Sequence, residues 1–497
     1  MLLSKDWFKN HSPSQSLPDM PERILQIGEG NFLRGFVDWL IHQLMKQNRF
    51  HGKVVIVAPR PSGAKKIQAL NAQDGLYTVW LRGMEGNAIV DGKEIIQSVS
   101  RALNPYEQWD EFLQCARNPQ IDIVTSNTTE AGLSYTKEVY DQSRCPNTYP
   151  AKLTAYLYER YLAFQGNEAY GLDVIPCELV ENNGYLLREL VIQCAKDWEL
   201  PVSFLDWVTR HNCFYNTLVD SIVTGFSTDS MTGQSNEMGY DDQLGIIREP
   251  YYLWVIQGCE RLQAKLDFPA AGLNVRYVDD VSPFRLIKVR ILNGAHTALA
   301  GLSFLAQMQT VKEAVSDLVI GAFVQELIGS EIIPALVIQA VPEVEAQHFA
   351  RDVFERFSNP LLRHEIVSLQ LNGLSKIKVR LLPTLMDYIQ LKGELPKLLT
   401  LAIAGQLLFY KNAHDLSARW VIQDNPAHVH AVQEAWKLEE TEGLLAGVKG
   451  ILSLVEVWGQ DLRVVEGLTE LIVEDIQALR KGILSAVDAR LPEQIGR

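Results

Sequence analysis

The chain has 497 residues, 47% hydrophobic and 21% charged, with a formal net charge of −14. That length exceeds one ordinary core and implies two or three domains. The negative charge argues against nucleic acid or an anionic membrane surface as the main partner, and any anionic ligand must then be met by a local basic cluster.

In chain order, the opening "MLLSKDWFKNHSPS" is too short and too charged for a signal peptide. "RILQIG" (23–28), "KVVIVAP" (53–59), "IDIVTSN" (121–127) and "GLDVIPCE" (171–178) read as short strands. Helical patterns lie between and after them at 35–48, 149–164 and 184–199. This alternation predicts an α/β, Rossmann-type N-terminal domain with a parallel-rich sheet covered on both faces. A polar patch at 227–243 suggests a boundary, giving 1–250 as the nucleotide-binding domain and 251–497 as the substrate domain. Past residue 280 the strand signal fades. The segments 310–328, 395–412 and 475–491 carry helical periodicity, so the C-terminal domain is expected to be mostly α-helical. The longest apolar run, 398–410, is shorter than the about 20 residues a bilayer requires. The six cysteines (115, 145, 177, 194, 213, 259) form no CxxC pair, as expected of reduced thiols in a cytoplasmic protein.

The first strand runs into "GEGNFLRGF". Gly28 permits a tight turn, and Gly30 lets the backbone approach a pyrophosphate at the next helix. A full dinucleotide fingerprint would place a third glycine at 33, where this chain has Leu33, so a plain strand–turn–helix fits equally. The second strand ends in Pro59 and Arg60 without the acid that usually binds the ribose of NAD, and Arg60 by itself favours a 2′-phosphate. The third strand exits into "SNTTEAG" (126–132), whose hydroxyl and amide groups suit either a cofactor's ribose and pyrophosphate or a helix cap involving Glu130.

"KVRILNGAHTAL" (288–299) sets three polar side chains in an apolar helical run. At 100° per residue, with Lys288 at 0°, His296 falls at about 80° and Asn293 at about 140°, in one fan about 12 Å long. Carbonyl reduction needs a proton donor and neutral hydrogen-bond donors for the developing alkoxide, and these residue types supply both. Geometry alone also admits a solvent-edge lysine, a capping asparagine and a satisfied histidine.

"GEGNFLRGF", "SNTTEAG", "CELVENNG", "NTLVDSIV" and "KVRILNGAH" occur in the order found in the polyol-specific long-chain dehydrogenase/reductase (mannitol dehydrogenase) family, which the chain resembles from about residue 20 to about residue 410. The resemblance implies a Rossmann-type domain, a helical domain, and a metal-independent active site in the cleft between them. It implies NAD as cofactor, held by Gly28, Gly30, Asn31, Phe32 and Arg34 of the first motif and by Ser126, Asn127, Thr129 and Glu130 of the second. Lys288 would be the general acid in reduction, Asn293 and Asn183 would bind the carbonyl oxygen, and His296 would orient the substrate. Asp220 and Lys376 match substrate-contacting positions, although Ser221 stands where the family usually has arginine. His364 and Ser368 replace an aspartate and an arginine of the polyol enzymes, which points away from a neutral polyol. The sequence resembles the uronate branch of the family instead. That implies reversible reduction of D-tagaturonate to D-altronate, with Lys376, Arg380 and His364 as candidate contacts for a sugar-acid substrate. The alternatives are fructuronate reduction, a mannitol-type polyol activity, or a non-catalytic nucleotide-binding regulator. "YIQLK" (388–392) and "AHVHA" (427–431) match a short-chain dehydrogenase spacing and a metal pair only by coincidence, and no metal is expected. Neither nucleic acid nor a membrane is expected as a partner, and oligomeric state is not legible.

Overall fold

The computed structural model describes residues 1–15, 17–86, 88–226, 238–258, 260–361, 363–412 and 422–492, so Cys259 and the stretch 227–237 of the polar patch lie outside the described residues. The chain forms two compact units, one of residues 1–82 and 89–281, the other of 83–88 and 282–497.

The first unit is built on a six-stranded sheet. Its strands are β1 (Glu22–Ile27), β2 (Lys53–Val57), β5 (Val99–Leu103), β6 (Ile123–Ser126), β7 (Asp173–Pro176) and β8 (Cys213–Phe214), in the order β5-β2-β1-β6-β7-β8. Every pairing is parallel. Strand periodicity assigns the two faces. Ile24, Val54 and Ile56 pack with Leu40 and Leu44 of the helix Val37–Lys46. Leu25, Ile27, Val55 and Val57 pack with Leu153, Tyr156, Leu187 and Val191 from the helices Tyr149–Ala163 and Asn183–Asp197. Burial on both faces explains why these strands read as continuous apolar runs rather than alternating ones. The order reverses direction between β1 and β6, which makes their carboxyl ends a topological switch point, the ligand position of open α/β sheets.

The remaining strands of the chain are β3 (Tyr77–Glu85), β4 (Ala88–Ile96), β9 (Thr217–Asp220), β10 (Val223–Gly225), β11 (Ile246–Arg248), β12 (Leu253–Gln257) and β13 (Val275–Val278). They form a four-stranded sheet, β10-β11-β3-β4, and a three-stranded sheet, β13-β12-β9. These additions move the division from the expected 250 to Val281/Ser282. Trp254, Ile256, Phe268 and Val275 are buried in the core of the first unit, so β12 and β13 cannot belong to the second.

Among the described residues from Ser282 onward the regular structure is helical. The run 310–328 is two helices rather than one. Thr310 accepts from Glu313 N and Asp317 from Val319 N and Ile320 N, each capping its own helix. The run 475–491 breaks at Gly482 into Leu468–Lys481 and Ile483–Asp488. The continuous helical run Leu318–Ile338 is 21 residues long and apolar enough to match a bilayer, with 56% of its apolar window buried inside the protein. Among the described residues it is therefore a longer apolar run than 398–410. The helix Gly294–Leu305 packs against Lys397–Asn412, and Gln406 Nε2 donates to Thr297 O at 2.6 Å. Their close approach depends on Gly301, where an added Cβ would lie 2.8 Å from Gln406 N and from Gly405 C.

Those backbone neighbours cannot yield cheaply, so Gly301→Val should cost about 1–3 kcal/mol in chemical denaturation. Gly329→Ala would meet no atom within 4 Å and should leave Tm unchanged or raised.

Candidate active site

The glycine turn follows β1. Gly28 has φ +134° and its N donates to Val57 O at 2.9 Å, and an added Cβ would lie 2.8 Å from Leu33 Cδ1 and 3.0 Å from Asn127 O. Gly30 differs. It is the N-cap of the helix Asn31–Gly35, and a Cβ there would meet no atom within 4 Å. The first glycine serves the backbone and its neighbours, and the second leaves space that a ligand can use. Phe32 is half-buried and stacked on Phe36 at 4.9 Å. Arg34, which the resemblance implies at the cofactor, has its guanidinium engaged within the protein. It is 2% exposed, and its guanidinium donates to Glu29 O (3.3 Å), Leu244 O (2.5 Å) and Asn31 Oδ1 (2.8 Å). It ties down the turn. Below it, Asp38 is fully buried and accepts from Tyr77 OH (3.0 Å) and Gln26 Nε2 (3.3 Å), while its Oδ1 has no hydrogen-bond partner. Burial pushes this carboxyl up to about 7.

The "SNTTEAG" loop is organised by Glu178, a residue the sequence reading passed over within "CELVENNG". Its buried carboxylate accepts from Ser126 Oγ (3.1 Å), Thr128 N (2.9 Å) and Thr128 Oγ1 (3.0 Å). Ser126 thus spends its hydroxyl on the protein. Asn127 is half-buried and donates to Cys177 O at 3.3 Å. Thr129 is exposed and held at φ +75°, unusual for a β-branched residue. The side chain of Glu130 lies outside the described residues. Asn183, expected at the carbonyl oxygen, is fully buried and has a saturated amide. Its Nδ2 donates to Pro176 O, Glu178 O and Thr217 Oγ1, and its Oδ1 accepts from Gly184 N and Thr217 N. It therefore positions the loop after β7. Asp220 is 5% exposed at the end of β9, paired with Leu253.

The second unit gathers the other expected residues. The helix carrying Lys288 is not uniform: Lys288–Asn293 is a π-turn between the α-helices Ser282–Ile287 and Gly294–Leu305. Hydrogen bonds from i to i+5 stack residues five apart, so Lys288 and Asn293 lie closer to one face than a regular helix would place them. A second π-turn, Ile377–Leu381, contains Arg380 and directly follows Lys376. Arg380 Nη1 reaches Thr297 Oγ1 (3.3 Å) and Asn293 O (3.5 Å), joining the two segments. His296 stacks on Phe357 at 4.2 Å and meets the edge of His364 at 4.9 Å. Its Nε2 is buried without a hydrogen-bond partner.

Burial and like charge act on His296, His364 and Lys376 alike. Burial, then His364, Arg356, Arg380 and Lys376, hold the His296 imidazole well below its usual range, so it is neutral. His364 is lowered by burial, Arg356 and Lys376. Lys376, whose Nζ donates to Leu369 O at 2.9 Å, is brought down to about 8 by burial and Arg380 against the pull of Asp424. Arg356, one residue before Phe357, belongs to the cluster and was missed. Nothing in "DVFERFSN" distinguishes it from an ordinary surface arginine.

The chain matches known proteins over most of its length. Residues 22–269 match the Mannitol dehydrogenase Rossmann domain and residues 280–480 the Mannitol dehydrogenase C-terminal domain. It is 42% identical to the altronate oxidoreductase of Halalkalibacterium halodurans over 96% of this chain and 94% of that one. It is 42% identical to the altronate oxidoreductase of Bacillus subtilis over 90% of this chain and 91% of that one. Among solved structures it resembles the Pseudomonas fluorescens mannitol 2-dehydrogenase in ternary complex with NAD and D-mannitol (TM-score 0.71, 22% identity, 98% of this chain and 99% of that one). It also resembles a substrate-free D-sorbitol dehydrogenase (TM-score 0.77, 20% identity, 98% and 100%), and both likenesses are of fold.

Asp38 yields a prediction for the glycine turn. A carboxyl raised in the folded state contributes stability that is full below its unfolded value of 3.8 and is lost as pH rises through about 7. Denaturation midpoints should fall across that window in the wild type. Asp38→Asn should flatten the profile by an amount on the order of a few kcal/mol, and an unchanged slope would show that Asp38 is not its source.

Proposed function

This chain belongs to the mannitol dehydrogenase family of oxidoreductases acting on CH–OH groups, and we propose that its reaction is the reversible, NAD(H)-dependent reduction of D-tagaturonate to D-altronate. The observation that carries this reading is Arg380, which reaches Asn293 O and Thr297 Oγ1 on either side of His296 from the π-turn that follows Lys376, next to the π-turn of Lys288 and Asn293. A keto-uronate presents a ketone and a carboxylate, and this group of residues matches both. The altronate oxidoreductases at 42% identity support the same substrate class.

The first unit has features that suit a dinucleotide at the switch point of its sheet. Gly30 leaves open space at the turn, and Asn31, Phe32, Asn127 and Thr129 surround the carboxyl ends of β1 and β6. When bound, the cofactor supplies the hydride. Lys288 delivers a proton to the carbonyl oxygen in reduction and recovers it in oxidation. Asn293 donates a hydrogen bond that strengthens as the oxygen gains charge. Neutral His296 offers a ring nitrogen to a substrate hydroxyl without adding charge near Lys288. Lys376 and Arg380, with Arg356 within electrostatic reach of both histidines, hold the carboxylate. Asp220 remains a proposed substrate contact at the end of β9.

NADH oxidation should be fast with D-tagaturonate, slower with D-fructuronate and weakest with D-fructose. Turnover of fructose above either acid would move the enzyme to neutral sugars. Lys288→Ala should lower kcat by about 10²-fold or more, and wild-type turnover in that variant would remove the lysine from the mechanism. Lys376→Met should raise KM for the keto-acid by about tenfold with a smaller change in kcat.

A further inference from the structure

The end of β2 lacks the acid that ordinarily binds the adenosine ribose, because Val57 is followed by Ala58, Pro59 and Arg60. A carboxylate nevertheless lies there. β1 and β2 are adjacent and in register at Ile27↔Val57, so the residue after Gly28 stands level with the turn that follows β2. Glu29 reaches across to it. A Cβ built on Gly63, in the short helical turn Pro61–Gly63, would lie 2.9 Å from Glu29 Oε1, 3.2 Å from its Cδ and 2.8 Å from Ala58 Cβ. Gly63 is thus the residue whose missing side chain gives the Glu29 carboxyl its place.

The backbone of Glu29 is fixed, since its carbonyl accepts from buried Arg34 at 3.3 Å, and Glu29 itself is only half-buried. Lys66, on the following helix, lies within electrostatic reach and supplies a counter-charge. Arg60, the residue that favours a 2′-phosphate on sequence alone, is exposed and acts electrostatically on Tyr106, whose hydroxyl donates to Pro59 O at 3.3 Å.

We propose that Glu29, from the glycine turn, accepts hydrogen bonds from the adenosine ribose hydroxyls and is the residue that selects a 2′-hydroxyl over a 2′-phosphate. This rests on the dinucleotide-binding reading above. A carboxylate accepts from both hydroxyls of a ribose, and a 2′-phosphate beside the same carboxylate is repelled. Like charges brought together in a binding site disfavour the complex, enough for a preference of about tenfold or more. The task usually given to the end of the second strand has moved to the neighbouring turn.

The test is equilibrium binding of NAD⁺ and of NADP⁺ to the full-length protein without substrate, followed by tryptophan fluorescence or calorimetry. The wild type should bind NAD⁺ more tightly. Glu29→Gln should still bind NAD⁺ while the ratio of the two Kd values shifts toward NADP⁺ by about tenfold or more. Arg60→Ala, a change at an exposed position, should leave the ratio unchanged and keeps the test decisive should the Glu29 variant fail to fold. An unchanged ratio in a folded Glu29→Gln that binds NAD⁺ would overturn the proposal. So would a loss of NADP⁺ affinity in Arg60→Ala that shifts the ratio. A wild type that binds neither nucleotide would instead remove the dinucleotide reading and the proposal with it.

Discussion

The positive charge gathered around His296 is the constraint on which the second unit turns. Arg356, Lys376 and Arg380 all act on one buried imidazole, in a chain whose net charge is −14. Bringing cations together out of water is unfavourable unless an anion joins them. The neutral state of His296 and the lowered Lys376 are two signs of that cost. A substrate carboxylate would relieve it, and its binding would then be driven by charge already in place. The π-turns at Lys288–Asn293 and Ile377–Leu381 serve the same arrangement, because they set the polar residues of two crossing segments within reach of each other through Arg380.

Whether a polar group is saturated separates residues that build the site from those that can act in it. Arg34, Ser126 and Asn183 are buried, with their donors committed to partners within the protein. They hold the glycine turn and the two loops of the sheet in shape. The open space at Gly30, the exposed Thr129 and the unpartnered Nε2 of His296 mark where a ligand has something to satisfy. Arg34 and Ser126 stand in the same motifs as Gly30 and Thr129, so a motif does not tell positioning from contact.

Much of the fold was legible because it is dictated locally. Apolar runs of strand length ending in Gly28 or Asn127 announce a parallel sheet, whereas the helix breaks at Asp317 and Gly482 were hidden inside periodic patterns that run through them. The boundary was not legible. A polar patch looks like a linker, yet β12 and β13 return to the first unit through Trp254 and Phe268, a pairing across distant sequence. The π-turn was also hidden, since the widened turn leaves the apolar pattern around it intact and the uniform 100° rotation misplaced Asn293 relative to Lys288. Arg356 and Glu178 matter through what they meet in space, Arg356 beside two histidines and Glu178 under a loop fifty residues earlier.

The central claim is that the second unit recognises a sugar by its carboxylate. The most direct measurement compares the affinity of D-altronate with that of its neutral polyol counterpart, D-altritol, in the presence of NADH, where neither can react. The account predicts that the acid binds at least about tenfold more tightly and weakens with added salt, as a charge-paired ligand should. Equal affinity for the two, or altronate binding indifferent to salt, would contradict it.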